Sequence, residues 1–133
     1  MEAKIVACVI DDDEIFTFLY KRLMSTIKVV DKTLFFENGK LAIDYFRQNA
    51  DHAENLPDLV LLDLNMPVLD GWQFMDEFLK LGPLNKKITL YIVSSSVDEN
   101  DIRKALMYSE VSDFIIKPVT QTVLRKIFED LHV

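Results

Sequence analysis

Four apolar runs in this chain end in a residue that could do chemistry. Ile5–Ile10 runs into Asp11-Asp12, and Leu59-Val60-Leu61-Leu62 runs into Asp63. Ile88–Val93 ends at Ser94, and Phe114-Ile115-Ile116 ends at Lys117. An apolar run bounded by turn signals reads as a strand buried on both faces. An acid at the end of such a strand is costly unless something pairs with it. Three carboxylates crowded together repel and are hard to ionise without a cation. All-oxygen ligation with few carboxylates and room for water suits Mg²⁺, with Mn²⁺ as a substitute. A carboxylate beside such an ion, a lysine and a hydroxyl is equipped to handle a phosphoryl group. Carboxylate nucleophiles form aspartyl phosphates, and phosphoryl transfer needs mainly positioning and charge neutralisation.

These groups meet only if the elements between them put the strand ends on one edge. The spacing predicts that they do. Strand one, Ile5–Ile10, is followed by Ile15, Phe16, Leu19, Leu23 and Ile27 at helical spacing, with Asp13 as the N-cap. Val29 to Phe36 reads as strand two, and Leu41, Ala42, Tyr45 and Phe46 mark helix two. The polar stretch Asp51 to Pro57 reads as a loop. Strand three is Asp58–Leu62, and Phe74, Met75, Phe78 and Leu79 mark helix three, closed by Gly82-Pro83. After strand four, helix four runs from about Glu99 to Ser109 with Ile102, Ala105 and Leu106 inward. Strand five is Phe114–Ile116, and Val123, Leu124, Ile127, Phe128 and Leu131 form the last helical stripe. The apolar stripes of all these helices are expected in the core. Trp72 is expected to pack at the start of helix three.

Five β-α pairs in succession imply a parallel sheet with helices on both faces. In such sheets ligands bind outside the carboxyl ends of the strands, where the strand order reverses. Asp11, Asp12, Asp63, Ser94 and Lys117 converge there. Strand two ends without a comparable group.

The totals narrow the classes. The chain has 133 residues, half of them apolar, and only three glycines, which suits one domain with a full core. No repeat or linker divides it, so residues 1–133 read as a single domain with no output domain attached. The net charge of −7, from 22 acids and 15 bases, argues against direct nucleic-acid binding and against anionic membrane surfaces. No run is long enough for a membrane span or shaped like a signal peptide. The lone Cys8 sits in an apolar run as a core residue, which fits a reducing cytoplasm. His52 falls in the polar loop and His132 at the end, so no zinc site is expected.

The pieces together resemble the receiver domains of two-component response regulators. They are Asp11-Asp12 after strand one, Asp63 with Met66-Pro67 and Asp70-Gly71, Ser94-Ser95 after strand four, and Lys117-Pro118 after strand five. The resemblance covers essentially the whole chain. It implies a flavodoxin-like, doubly wound (βα)5 α/β fold with strand order 2-1-3-4-5. It implies that Asp63 is the phosphoacceptor for a phosphoryl group from a phosphohistidine. Asp12, Asp63 and the backbone carbonyl of Asn65 would ligate Mg²⁺, with Asp11 acting through a bound water. Lys117 would pair with Asp63 or its phosphoryl group, through a Lys-Pro bond that is usually cis in the family. Ser94 would be the hydroxyl that moves onto the phosphoryl group, with Ser95 as the alternative in a run of three serines. Phe114 stands at the family's switching aromatic position, where it could act only by packing. Asn65 and Ser96 stand where the family tunes the lifetime of the phosphoryl group.

The same resemblance implies the partners. A histidine kinase or a histidine phosphotransfer protein would dock near the strand ends, over helix one. A protein target would read residues 97–131, or the domain would relay phosphate. Three rivals stand beside this reading. An aspartyl-phosphate hydrolase would place its nucleophile after strand one and want a second acid two residues on, which Asp63-Leu64-Asn65 lacks. A flavin carrier of the same architecture would want a Ser/Thr/Gly cradle after strand one, where this chain has four acids in a row. A receiver-like module that binds proteins without phosphorylation is the nearest alternative.

Overall fold

The structure is a computed structural model and describes residues 4–66, 69–95 and 98–131. Pro67, Ser96 and His132 lie outside the described residues. The elements follow in the order β1 (Ile5–Ile10), α1 (Glu14–Met24), β2 (Val30–Phe36), α2 (Gly39–Gln48), β3 (Leu59–Asp63), α3 (Gly71–Lys80), β4 (Thr89–Ser94), α4 (Glu99–Leu106), β5 (Val111–Ile116) and α5 (Gln121–Leu131). The five strands form one parallel sheet in the order β2-β1-β3-β4-β5. The chain winds outward from β1 to β2, then returns past β1 to β3. The reversal therefore lies between β1 and β3, whose carboxyl ends carry Asp11 and Asp63.

Alternation along the strands sorts the core into two layers. Ala7 and Val9 of β1, Leu59 and Leu61 of β3, and Tyr91 and Val93 of β4 pack with Tyr20 and Met24 of α1 and with Leu124, Ile127 and Phe128 of α5. Cys8, Ile10, Val60, Leu62, Leu90 and Ile92 pack on the other face with Phe46 of α2, Phe74 and Met75 of α3, and Ala105 of α4. All residues of β1 and β3 are buried, as expected of central strands covered on both sides.

The helix starts are fixed by side-chain caps. Asp13 accepts hydrogen bonds from the N–H groups of Ile15 and Phe16, so α1 begins immediately beyond the Asp11-Asp12 pair. Asp70 and Gln73 form a reciprocal capping box at the start of α3. The next residue, Gly71, packs against the chain leaving β3: a Cβ there would lie 2.7 Å from the Leu64 Cα. Its N–H donates to the Leu64 carbonyl at 2.9 Å. Only a glycine permits this approach, and it pins the segment that follows Asp63.

Several expectations need correction. β5 begins at Val111, three residues before Phe114, because Ser112 and Asp113 are both exposed in this edge strand and interrupt its apolar pattern. α4 ends at Leu106 instead of Ser109. The expected loop from Asp51 to Pro57 contains a single 3-10 turn, Ala53–Asn55. The apolar stripes are wider than the faces they bury. Ile15 is 72% exposed and Leu106, expected inward, is 51% exposed. Leu19, Leu41, Leu79 and Val123 are exposed as well. Periodicity locates a helix face but not how far the neighbouring layer covers it.

Candidate functional site

Asp63 is the last residue of β3, and the pairing of Ile10 with Leu62 brings Asp11 alongside it. Both carboxylates are buried, while Asp12 is exposed at the rim. One carboxylate oxygen from each of Asp11, Asp12 and Asp63 lies within 4.8 Å of the others. Lys117 enters from the end of β5. Its Nζ lies 2.9 Å from Asp11 Oδ2 and 3.6 Å from Asp63 Oδ2. The other oxygen of Asp11 accepts the Asp13 N–H at 2.9 Å, so both Asp11 oxygens are engaged. The Asn65 N–H donates to Asp63 Oδ1 at 3.3 Å, which folds the chain back over the acid.

Strand parity explains why these groups meet. Asp11 and Asp63 continue the face of β1 and β3 that α1 and α5 cover. Lys117 follows Ile115, which packs in the same layer. Phe114 and Ser94 continue the opposite parity, and Phe114 packs, half-buried, with the α2–α4 layer. Ser94 is fully buried at the end of β4, whereas Ser95 is exposed. The Ser94 carbonyl accepts the Lys117 N–H at 2.8 Å, tying the two strand ends together. The Lys117-Pro118 peptide bond is cis. Thus Asp11, Asp12, Asp63, Asn65 and Lys117 gather at one point with Ser94 on the neighbouring strand end, and Phe114 faces away from them.

The electrostatics follow from this crowding. Burial pushes the Asp63 carboxyl up to about 6, the Asp11 carboxylate adds to the rise, and Lys117 pulls against it. Three carboxylates against one ammonium leave two negative charges when all are ionised (three less one). A divalent cation carries the opposite charge, and the donors facing it are all oxygen. The residues present therefore fit Mg²⁺ or Mn²⁺.

One contact at the site was not legible in the sequence. The Lys117 Nζ lies 4.1 Å from the centroid of the Phe16 ring on α1. Phe16 reads as one member of an apolar stripe, and nothing in its spacing marks it as a neighbour of the lysine. Tyr20, one turn on, is buried beneath the same cluster. Burial pushes its hydroxyl up, with the Asp11 and Asp63 charges adding.

A family model for the response regulator receiver domain matches residues 7–129. The chain belongs to that family. It shares 28% identity and a TM-score of 0.86 with a two-component response regulator from Cytophaga hutchinsonii, covering 97% of this chain and 98% of that one. It is 27% identical over 131 residues to two-component response regulator 24 of Arabidopsis thaliana, covering 98% of this chain and 86% of the relative. The receiver domain of a sensor histidine kinase from Pseudomonas aeruginosa, with a magnesium ion coordinated in its active-site cleft, shares the fold. There the TM-score is 0.77 at 15% identity, over 98% of this receiver domain and 100% of that one. Among the described residues, no helix is long and apolar enough to cross a membrane.

Proposed function

We propose that this receiver domain is a phosphoacceptor switch in which Asp63 takes a phosphoryl group from a phosphohistidine. The observation that carries the reading is the convergence on buried Asp63 of one lysine and two further acids. Asp11, Asp12, Asp63 and the Asn65 carbonyl would hold Mg²⁺, Asp11 through water. When bound, the ion would neutralise charge on the acids and on the phosphoryl oxygens.

Asp63 attacks phosphorus in line with the leaving nitrogen. A P–O bond forms as the P–N bond breaks, and the electron pair of the broken bond stays on the imidazole. That ring carries a proton on its other nitrogen and leaves neutral. Lys117, already 3.6 Å from Asp63, pairs with the new phosphoryl oxygens. Ser94, buried on the adjoining strand end, donates its hydroxyl to them in this reading, and Phe114 responds by repacking on the α4 side. Asn65, at the mouth of the site, and Ser96 tune how long the acyl phosphate lasts.

The donor is a histidine kinase or a histidine phosphotransfer protein, docking over α1, where Ile15, Phe18 and Leu19 are exposed. Output passes through a protein target that reads α4, β5 and α5, where Leu106, Met107, Ile116 and Val123 are exposed. The domain signals by partner binding and does not turn over a substrate, and it acts in the cytoplasm. Incubation with Mg²⁺ and acetyl phosphate tests the reading by intact mass. Wild type should gain one phosphoryl group and Asp63→Asn none. An unlabelled wild type would contradict the reading and favour the phosphorylation-independent module, its nearest rival.

A further inference from the structure

Among the described residues, the Lys117 ammonium contacts two carboxylates and one group that is not a carboxylate. Only 7% of the side chain is exposed, and the ammonium sits between Asp11 at 2.9 Å, Asp63 at 3.6 Å and the Phe16 ring, whose centroid is 4.1 Å away. The ring is held there by the chain itself. The Phe16 N–H donates to the Asp13 cap at 3.3 Å, so the turn that starts α1 also presents the ring to the lysine. A ring face attracts an ammonium through its quadrupole, most strongly when water is excluded. It takes no proton, and it offers no lone pair that would fix the ammonium in one direction.

That last property fits the task of this lysine. Lys117 lies nearer to Asp11 than to Asp63, so it must shift when phosphoryl oxygens appear on Asp63. A hydrogen-bond acceptor in place of the ring would hold it back, and an aliphatic side chain would leave that flank of a buried cation without compensation. We infer that Phe16 is a positioning residue. Its ring keeps the Lys117 ammonium dry and free to slide from Asp11 toward the phosphoryl group, and so sets the rate at which Asp63 is phosphorylated. The inference rests on the phosphoacceptor reading of Asp63 and Lys117.

Phe16→Leu keeps an apolar side chain in the α1 layer and removes the ring face, and Phe16→Tyr keeps the face. Two readouts separate positioning from packing. In NMR spectra of the unphosphorylated wild type, the Lys117 ε-methylene protons should be shifted upfield by the ring, and this shift should vanish in Phe16→Leu and persist in Phe16→Tyr. With Mg²⁺ and acetyl phosphate, Phe16→Leu should take label about tenfold more slowly, and Phe16→Tyr should stay close to wild type. No upfield shift in the wild type overturns the inference without any variant. Equal labelling rates for wild type and a folded Phe16→Leu overturn it too, and leave the phosphoacceptor reading intact. A wild type that takes no label overturns that reading, and the inference falls with it.

Discussion

The ammonium of Lys117 lies closer to Asp11 than to Asp63, 2.9 Å against 3.6 Å. The lysine thus neutralises the acid that already holds the β1–α1 turn through the Asp13 N–H. Asp63, the buried acid at the reversal of the sheet, is left incompletely compensated. Burial raises its pKa, the Asp11 charge adds to the rise, and Lys117 offsets them only in part, which leaves the site ready for a cation.

The first consequence is a stability that depends on pH. The Asp63 carboxyl sits at about 6 in the folded domain against 3.8 without the fold's influence. Between these values the folded state binds the proton more tightly, so lowering the pH stabilises the fold. The gain begins as pH falls through about 6 and is complete near 3.8. It amounts to at most about 3 kcal/mol. Denaturant melts without divalent ions should show wild type gaining stability relative to Asp63→Asn from pH 7 to pH 5. Parallel pH profiles for the two proteins would contradict the charge balance described here.

Removing the lysine should expose the same imbalance more sharply. Lys117→Met leaves two buried acids and a third at the rim with no cation among them. Unfolding at pH 7 should become easier by about 3 kcal/mol. Much of that loss should return at pH 5 or on adding Mg²⁺. A loss that neither acid nor Mg²⁺ reverses would point to lost packing of the lysine stem instead.

Gly71 offers a test of how the Asn65 segment is held. An alanine Cβ there would meet Leu64 Cα at 2.7 Å and the Asp63 carbonyl oxygen at 3.1 Å. Backbone must move to admit it, which should cost about 1–3 kcal/mol. Because that backbone carries Asp63 and Asn65, Mg²⁺ affinity measured by calorimetry should weaken in Gly71→Ala. Unchanged affinity would show that the site tolerates a displaced segment.

Trp72 is the only tryptophan in the chain, and it is contacted by Lys104 of α4 and by Tyr108 just beyond that helix. The Lys104 Nζ lies 4.4 Å from its ring, and the Tyr108 ring stacks on it at 6.2 Å and 19°. Its emission therefore reports whether α4 stays on α3. Phosphorylation that moves α4 should change Trp72 emission in wild type and not in Asp63→Asn. Constant emission in a fully phosphorylated sample would mean that α4 keeps its place.

Much of this was legible in the sequence because each central strand announces itself twice. β1 and β3 are continuous apolar runs, and each ends in the acid that matters. The fold class, the strand order and the gathering of Asp11, Asp12, Asp63, Ser94 and Lys117 on one edge follow from those runs and from the family likeness. The start of the edge strand β5 is hidden in the sequence because Ser112 and Asp113 are both exposed. Ile15 and Leu19 share the apolar spacing of α1 yet are exposed, because helical spacing says nothing of where the covering layer stops. Phe16 and Lys117 are 101 residues apart (117 less 16) and share no pattern, so only the packing of α1 against the end of β5 brings them together.

The most direct test of the account is to find where the phosphoryl group lands. Wild-type protein labelled with acetyl phosphate and Mg²⁺ is treated with a hydride reductant, which converts an acyl phosphate to an alcohol, and then mapped by peptide mass spectrometry. The account predicts homoserine at residue 63 and unmodified Asp11 and Asp12. Reduction at Asp11 or Asp12, or at no residue of a labelled sample, would contradict it.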